Sequence, residues 1–409
     1  MKKQNIISDK NLYWINFLHL YQPPWQKKEI VEEFTNKSYR YILNILKKYP
    51  KTKITMNISG CLTEQLLNYG FRDILDDIKK LTLKKQIELV GSAMYHPILP
   101  LIPEDEVIRQ IKLNENINSK IFGKAWGVSK KIYGLRGFFM PEMAYSKKVA
   151  KIISKMGYEW IILDEIALDG KFNNINWSTK YYIKDVKCKN SKENFIVVFR
   201  DRKFYKNTFE TEKIDKMLKN KNLNNIFIVT ARDGEGYNLN LNKKTLETIE
   251  KVVRNKNVET MTISEYLKKI KNKKDVDLKR CNWESDPSEI KRKDYYSIWN
   301  NKNNEIHKKL WFFIKNIKKV VDKNKNDPNY FWARKHLDKA FTSCTWWWAD
   351  GRFKGYNPDE IEKGCLEMIK SIRSLNKLDI YTKIYFEKIY SNIIFKIWEK
   401  HWKIYESCN

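Results

Sequence analysis

With 409 residues the chain can bury a large core, as one barrel with an appendage or as two to three domains, and it holds no apolar run of about 18 residues that would span a bilayer. Its formal charge of +30 is spread as Lys among Asn and Ile along the whole length, with no basic stripe interleaved with aromatics, so neither a specific nucleic-acid partner nor a membrane is expected. Six scattered cysteines without a CxxC pair signal neither a disulfide framework nor a zinc knuckle, and MKKQNIISDKNLYW lacks the apolar core of a leader, so a cytoplasmic protein with reduced thiols is expected.

The first predicted strand, Tyr13 to Leu18, runs into His19, Gln22, Pro23, Pro24 and Trp25. Proline forbids a continuing ladder, so His19, Gln22 and Trp25 are delivered into a rigid loop, where His and Gln can hydrogen-bond hydroxyls and Trp can stack on a flat apolar face. A helix at about Val31 to Lys48 and a strand at Lys53 to Ile58 follow, then a helical stretch through Leu81. The next strand, Ile87 to Val90, ends in small residues and then Tyr95, His96 and Pro97, so this exit also carries hydrogen-bonding groups.

Gly137 to Ser146, GFFMPEMAYS, is an apolar run that stops at an acid, Glu142, after Pro141. Trp160 to Leu163 is a short strand ending at Asp164 and Glu165, and Tyr181 to Ile183 with Phe195 to Phe199 are expected to pair as an inserted hairpin tipped by Arg200, Asp201 and Arg202. Ile226 to Tyr237, IFIVTARDGEGY, stops at a second acid, Asp233, with Arg232 and Glu235 crowded around Gly234 and Gly236. A helix at Lys243 to Arg254 and a strand near Val258 to Met261 complete the series. Alternation at this spacing predicts α/β class, a parallel barrel of seven or eight strands over residues 1–270. Both acids would lie just past C-terminal strand ends, where loops vary over a fixed scaffold and barrel enzymes carry their chemistry. Either alone could be a turn former or helix N-cap, but the density of charge around them favours an acid/base or nucleophile pairing.

From about Lys271 the pattern changes to apolar residues at helical spacing, so residues 271–409 are expected to form a helical bundle. Ser343 to Gly351, SCTWWWADG, sets three indoles in a row that one helix face cannot hide. Packing is one reading; the other is a sugar-stacking wall of Trp346 and Trp347 with Asp350 as hydroxyl acceptor. Cys281 to Asp286, CNWESD, adds Trp283 as a candidate of the same kind.

Taken in order, these segments resemble the glycoside hydrolases of family 57, α-glucan-active enzymes that include amylopullulanases, 4-α-glucanotransferases and glycogen branching enzymes. HLYQPP at His19 to Pro24 is similar to the family's opening His-x-His-Gln-Pro motif, IELVGSAMYHPILPLIP at Ile87 to Pro103 resembles its second region, and SCTWWWADG its substrate-binding region in the helical domain. GFFMPEMAYS puts Glu142 on the nucleophile and RDGEGY puts Asp233 on the general acid/base. The resemblance implies a (β/α)7 barrel, a helical domain against its rim that contributes to the groove, and retaining chemistry on an α-glucan or oligosaccharide with no metal or other cofactor. Substrate-binding candidates are then His19, Gln22, Trp25, Tyr95, His96, Arg232, Glu235, Trp283, Trp346, Trp347 and Asp350. Arg232 and His19 are expected to hold Glu142 ionised, and burial or nearness to Glu142 to raise the pKa of Asp233. One departure stands out: Tyr21 occupies the place of the family's usual second histidine, which marks a divergent subgroup. Two rival readings are a carbohydrate-binding or regulatory protein on the same scaffold, disfavoured because both acids are present, and a barrel polysaccharide deacetylase. The latter needs a His-x-x-x-His set that the five histidines do not supply.

Overall fold

The computed structural model describes residues 12–126, 136–189, 192–204, 210–219, 225–235, 243–352 and 355–408. The N-terminal stretch read for a leader lies mostly outside them, as do Gly236 and Tyr237 at the end of the second acidic run. Ten strands occur among the described residues: β1 (Leu12–Leu20), β2 (Ile54–Ile58), β3 (Ile87–Val90), β4 (Gly137–Phe139), β5 (Trp160–Asp164), β6 (Thr179–Lys187), β7 (Asn194–Arg200), β8 (Ile226–Asp233), β9 (Val258–Thr260) and β10 (Asn272–Val276). All nine residues of β1 are buried, which is why LYWINFLHL is almost continuously apolar: a parallel strand covered on both faces has no solvent side to encode.

β3, β2, β1 and β8 are parallel neighbours in that order, with β9 beside the start of β1. β4, β5 and β7 form a second parallel series. Hydrogen bonds join the two series at both ends. Gly91 N–H donates to the Gly137 carbonyl at 3.0 Å and Phe139 N–H to the Gly91 carbonyl at 2.9 Å, linking β3 to β4; Asp201 N–H donates to the Val229 carbonyl at 2.8 Å, linking β7 to β8. Strand neighbours therefore run in a circuit β1, β2, β3, β4, β5, β7, β8 and back to β1, consistent with the expected seven-stranded barrel. Helices Arg40–Lys48, Gly60–Asn68 and Arg72–Leu83 lay Leu43, Leu46, Leu62, Leu66, Ile74 and Ile78 against Leu18, Leu20, Met56 and Ile58 of the strands. Two strand exits are turned into helices by serine caps, Ser59 Oγ accepting from Leu62 N–H and Ser146 Oγ from Val149 N–H.

The expected pairing of Tyr181 to Ile183 with Phe195 to Phe199 is present, and only its reading as an insertion is corrected. β6 does run antiparallel to β7, but β7 pairs in parallel with β5 from Trp160–Ile196 to Asp164–Arg200 and belongs to the circuit. β6 continues outward to β10, a strand whose sequence NKKDV is exposed at four of five positions and so carries no apolar pattern to read.

The described residues fall into two compact units. The first takes in the chain up to Gln22, Gln26–Met94 and Pro103–Arg292; the second takes in Pro23–Trp25, Tyr95–Ile102 and the chain from Lys293. The first runs past residue 270 because β10 pairs with β6 and Tyr145 N–H donates to the Cys281 carbonyl at 2.8 Å. The second is helical in its C-terminal part. Helices Glu305–Lys323, Tyr330–Ala340, Cys344–Asp350, Pro358–Arg373 and Ile380–Cys408 bury Leu310, Phe313, Ile314, Leu337, Met368, Ile369 and Ile397 among themselves. One ion pair is buried with them, Arg334 Nη2 to Asp338 Oδ1 at 2.8 Å.

Candidate active site

In the first unit, register brings His19 and Asp233 side by side at the ends of β1 and β8. The crossing continues into the loop, where Gly234 N–H donates to the His19 carbonyl at 2.7 Å. Gly234 is glycine for a steric reason: a Cβ there would lie 2.1 Å from Leu20 Cδ2. His19 is buried, and its Nδ1 lies 2.7 Å from Asn57 Oδ1 on β2. Asn57 Oδ1 accepts only if Nδ1 carries the proton, which leaves Nε2 as the acceptor nitrogen. Burial lowers the His19 pKa to about 4, against the raising effect of Asn57. The imidazole is therefore neutral near pH 7, and the expectation that its charge holds Glu142 ionised is corrected: it offers position and a lone pair.

The strand that leads to Glu142 meets the same ring. β4 ends at Phe139, whose ring centre is 4.4 Å from that of His19. Pro141 and a turn with Glu142 at φ 60° and ψ 15° and Met143 at φ 48° follow. The left-handed region is uncommon for a residue with a side chain and is held by its surroundings. Trp283 N–H donates to the Glu142 carbonyl at 2.9 Å and Tyr145 N–H to the Cys281 carbonyl, so the segment Cys281 to Trp283 straps the Glu142 loop on both flanks. The Trp283 ring meets the His19 ring edge-on, 6.4 Å between centres, and lies 6.1 Å from Phe139. The Glu142 backbone and Asp233 are thus both tied to His19, one through Trp283 and Phe139, the other by register.

Glu235 shares the Asp233 loop. The residue is partly exposed, but its Oε1 accepts from Tyr21 N–H at 3.0 Å and from Tyr39 Oη at 2.5 Å. Burial of that end and then the charge of Asp233 push its carboxyl up to about 8, in spite of both donors. Tyr39 and Ser38, whose Oγ donates to the Gly234 carbonyl at 2.5 Å, sit on a π-helical turn, Thr35–Tyr39, inserted between the helices Lys28–Phe34 and Arg40–Lys48. Gln22, buried, accepts from Gln26 at 2.9 Å and hydrogen-bonds Tyr39. Tyr21, the departure from the resemblance, lays its ring parallel to His19 at 6.1 Å, so it lines the same surface. Arg232 lies one residue earlier on β8, opposite Leu18.

In the second unit, Trp25 Nε1 donates to Glu360 at 2.7 Å. Tyr95 and His96 are buried; His96, at φ 57°, has its Nδ1 3.0 Å from Ser343 Oγ, and its carbonyl accepts from Ser343 N–H at 3.0 Å. The three indoles divide. Trp346 is buried and stacks on Trp311 with ring centres 4.3 Å apart, a core side chain. Trp347, read with Trp346 as part of the same wall, is partly exposed and meets Trp348 edge-on at 4.8 Å. Asp350 is held by Arg352, with Nε at 2.6 Å and Nη2 at 3.1 Å, so it enters an ion pair rather than standing open as a hydroxyl acceptor. Among the described residues no group of three or more His, Cys, Asp or Glu could hold a metal ion.

Tyr39, Asn57, Asp164, Arg200 and Arg202 join these candidates through the fold. Tyr39 and Asn57 sit inside elements that read as ordinary helix and strand. The acid at the end of β5 and the Arg-Asp-Arg at the end of β7 were visible as strand-end charges, the same signal that singled out Glu142 and Asp233.

Residues 3–279 match the family model described as glycosyl hydrolase family 57. An α-amylase of Pyrococcus horikoshii is 34% identical over 154 residues, 37% of this chain and 23% of that protein. A 4-α-glucanotransferase of Thermococcus litoralis is 27% identical over 154 residues, again 37% of this chain and 22% of that protein, so the match spans less than a quarter of either relative's length. The crystal structure of the 4-α-glucanotransferase from Thermococcus litoralis is similar at a TM-score of 0.68 and 22% identity, over 90% of this chain and 60% of that one. A family 57 branching enzyme from Thermococcus kodakaraensis is similar at 0.65 and 15% identity, over 93% and 94%. At these identities the solved structures establish the fold.

Proposed function

The chain belongs to glycosyl hydrolase family 57, and from that premise we propose that it is a retaining enzyme of α-glucans, a hydrolase or a 4-α-glucanotransferase-type transferase, with Glu142 as nucleophile and Asp233 as general acid/base. Glu142 attacks the anomeric carbon, forming a carbon–oxygen bond as the glycosidic bond breaks, while the Asp233 proton passes to the departing oxygen. Asp233 then takes a proton from water or from an acceptor sugar hydroxyl, whose oxygen displaces Glu142 and returns both carboxyl groups to their starting state. Hydrolysis and transfer differ only in that acceptor.

The observation that carries the reading is the convergence on His19: Asp233 in register beside it, and the Glu142 loop against it through Phe139 and Trp283. Two acids serving one anomeric carbon need a common rigid reference, and a neutral buried ring fixed to Asn57 is one. Partly exposed Trp347 and Trp25 fit the stacking faces that a sugar ring takes.

The test is incubation with amylose and maltooligosaccharides followed by product-size analysis. Shorter products mean hydrolysis, redistributed lengths mean transfer, and an unchanged panel refutes the substrate class. Glu142→Gln separates an enzyme from a binding protein, because it removes turnover while leaving glucan binding in calorimetry.

A further inference from the structure

Both carboxylate-bearing arms are also tied to a second group, buried at the ends of β5 and β7. Asp164 and Arg200 close those strands in register with each other, both fully buried. Arg200 Nε donates to Asp164 Oδ2 at 2.7 Å, Arg202 Nε donates to the same oxygen at 3.0 Å, and Ile166 N–H donates to Oδ1 at 3.1 Å. A carboxylate with three donors on its two oxygens is locked, and it locks the guanidinium in turn.

The far side of that guanidinium faces the two arms. Arg200 Nη2 donates to the Trp283 carbonyl at 2.6 Å and Nη1 to the Ala231 carbonyl at 3.4 Å. Ala231 is two residues before Asp233 on β8, and the N–H of Trp283 holds the Glu142 carbonyl at 2.9 Å. The guanidinium carbon also lies 5.3 Å over the Trp283 ring. Arg202 donates to the same Trp283 carbonyl and, at 2.7 Å, to the Ser285 carbonyl. One planar fork thus bridges the strand that ends in Asp233 and the strap that holds Glu142.

We propose that Arg200, oriented by Asp164 and backed by Arg202, is a positioning residue that sets the separation of Glu142 from Asp233. This rests on the reading of those two acids given above. The chemistry supplies the reason for a rigid spacer: retention wants carboxyl groups roughly 5 to 5.5 Å apart, and inversion about 6.5 to 9.5 Å, so a drift on the order of 1 Å degrades the first without creating the second. A lysine cannot replace the spacer. Its ammonium satisfies Asp164 but lacks the planar fork that reaches two carbonyls at fixed angles.

The experiment compares wild type, Arg200→Lys, Asp164→Asn, Arg202→Lys, Glu142→Gln and Arg334→Lys, with maltoheptaose as substrate and the folded fraction measured by near-UV circular dichroism. Arg334→Lys is the matched control, since it perturbs a buried Arg–Asp pair in the second unit. A positioning role lowers kcat per folded molecule by about tenfold or more in Arg200→Lys and Asp164→Asn, with KM within about threefold, and leaves kcat unchanged in Arg334→Lys. Arg202→Lys shows the same split in smaller measure and carries the test if the two buried variants do not fold. Wild-type kcat in the folded Arg200 and Arg202 variants overturns the proposal, as does a kcat loss that Arg334→Lys reproduces. The underlying reading fails differently: wild-type turnover in Glu142→Gln removes the nucleophile assignment, whereas abolished turnover there with wild-type kcat in Arg200→Lys removes only the spacer.

Discussion

Glu88 offers a test of the electrostatics that needs no substrate. It lies in β3 with 1% of its surface exposed; Thr55 Oγ1 and Ser264 N–H each donate to its Oε2 at 3.0 Å, and Ser264 Oγ contacts its Oε1. Burial outweighs these donors and pushes the carboxyl up from 4.5 to about 7. Between those values the folded chain keeps a proton that the unfolded chain has released. The stability this contributes is therefore complete below about pH 4.5, declines as pH rises, and is lost above about pH 7. A difference of about 2.5 units at about 1.4 kcal/mol each gives on the order of 3 kcal/mol. Glu88→Gln keeps the shape and removes the charge. Urea unfolding of both chains at about pH 5 and about pH 8.5 is expected to show the wild type losing of order 3 kcal/mol more than the variant across that interval. Stability curves that stay parallel between the two pH values would refute the claim that burial dominates over the serine and threonine donors.

Other positions give independent checks. Tyr39→Phe removes a donor from the ionised form of Glu235 and should raise its pKa above about 8, moving the alkaline limb of the turnover profile upward. Glu235→Gln should abolish that limb, and a limb unchanged in both variants would mean another group titrates there. Trp346→Ala, which empties the stack on Trp311, is expected to cost about 3–5 kcal/mol in thermal or urea unfolding, while Trp347→Ala should leave stability within about 1 kcal/mol and raise KM for maltooligosaccharides. Gly234→Ala places a Cβ 2.1 Å from Leu20 Cδ2 and should lower kcat more than folded yield, because the shift is taken up beside Asp233.

What was legible in the sequence follows from which forces leave a pattern. The strand exits were visible because a buried parallel strand is apolar until it stops, and an acid marks the stop at Glu142, Asp164 and Asp233 alike. β10 was invisible because NKKDV pairs through its backbone while its side chains face solvent. The π-turn at Thr35–Tyr39 was invisible for a related reason. One inserted residue shifts helical phase without changing composition, yet it turns Ser38 and Tyr39 toward Gly234 and Glu235. The division of labour among the three indoles also had no linear signature, since only packing decides that Trp346 meets Trp311. His19 was found by its neighbours in the sequence, but its neutrality depends on burial against β2.

The two acids are held by opposite means, and the difference matches the tasks proposed for them. Asp233 needs no backbone strain: it ends a strand in register, is exposed, and is followed by a glycine clamped by His19 and Ser38. Glu142 sits in the left-handed region, a conformation that costs about 1–3 kcal/mol and persists only where the surroundings over-determine it. Here they do, through main-chain bonds on both flanks and the Trp283 strap, itself gripped by Arg200 and Arg202. Main-chain bonds to a strained turn fix the backbone from which the carboxylate projects. A nucleophile must approach one carbon along one line, so rigidity gained at the expense of strain serves it. An acid/base must serve the departing oxygen first and the incoming one next, and an unstrained carboxyl at an open strand end can reach both.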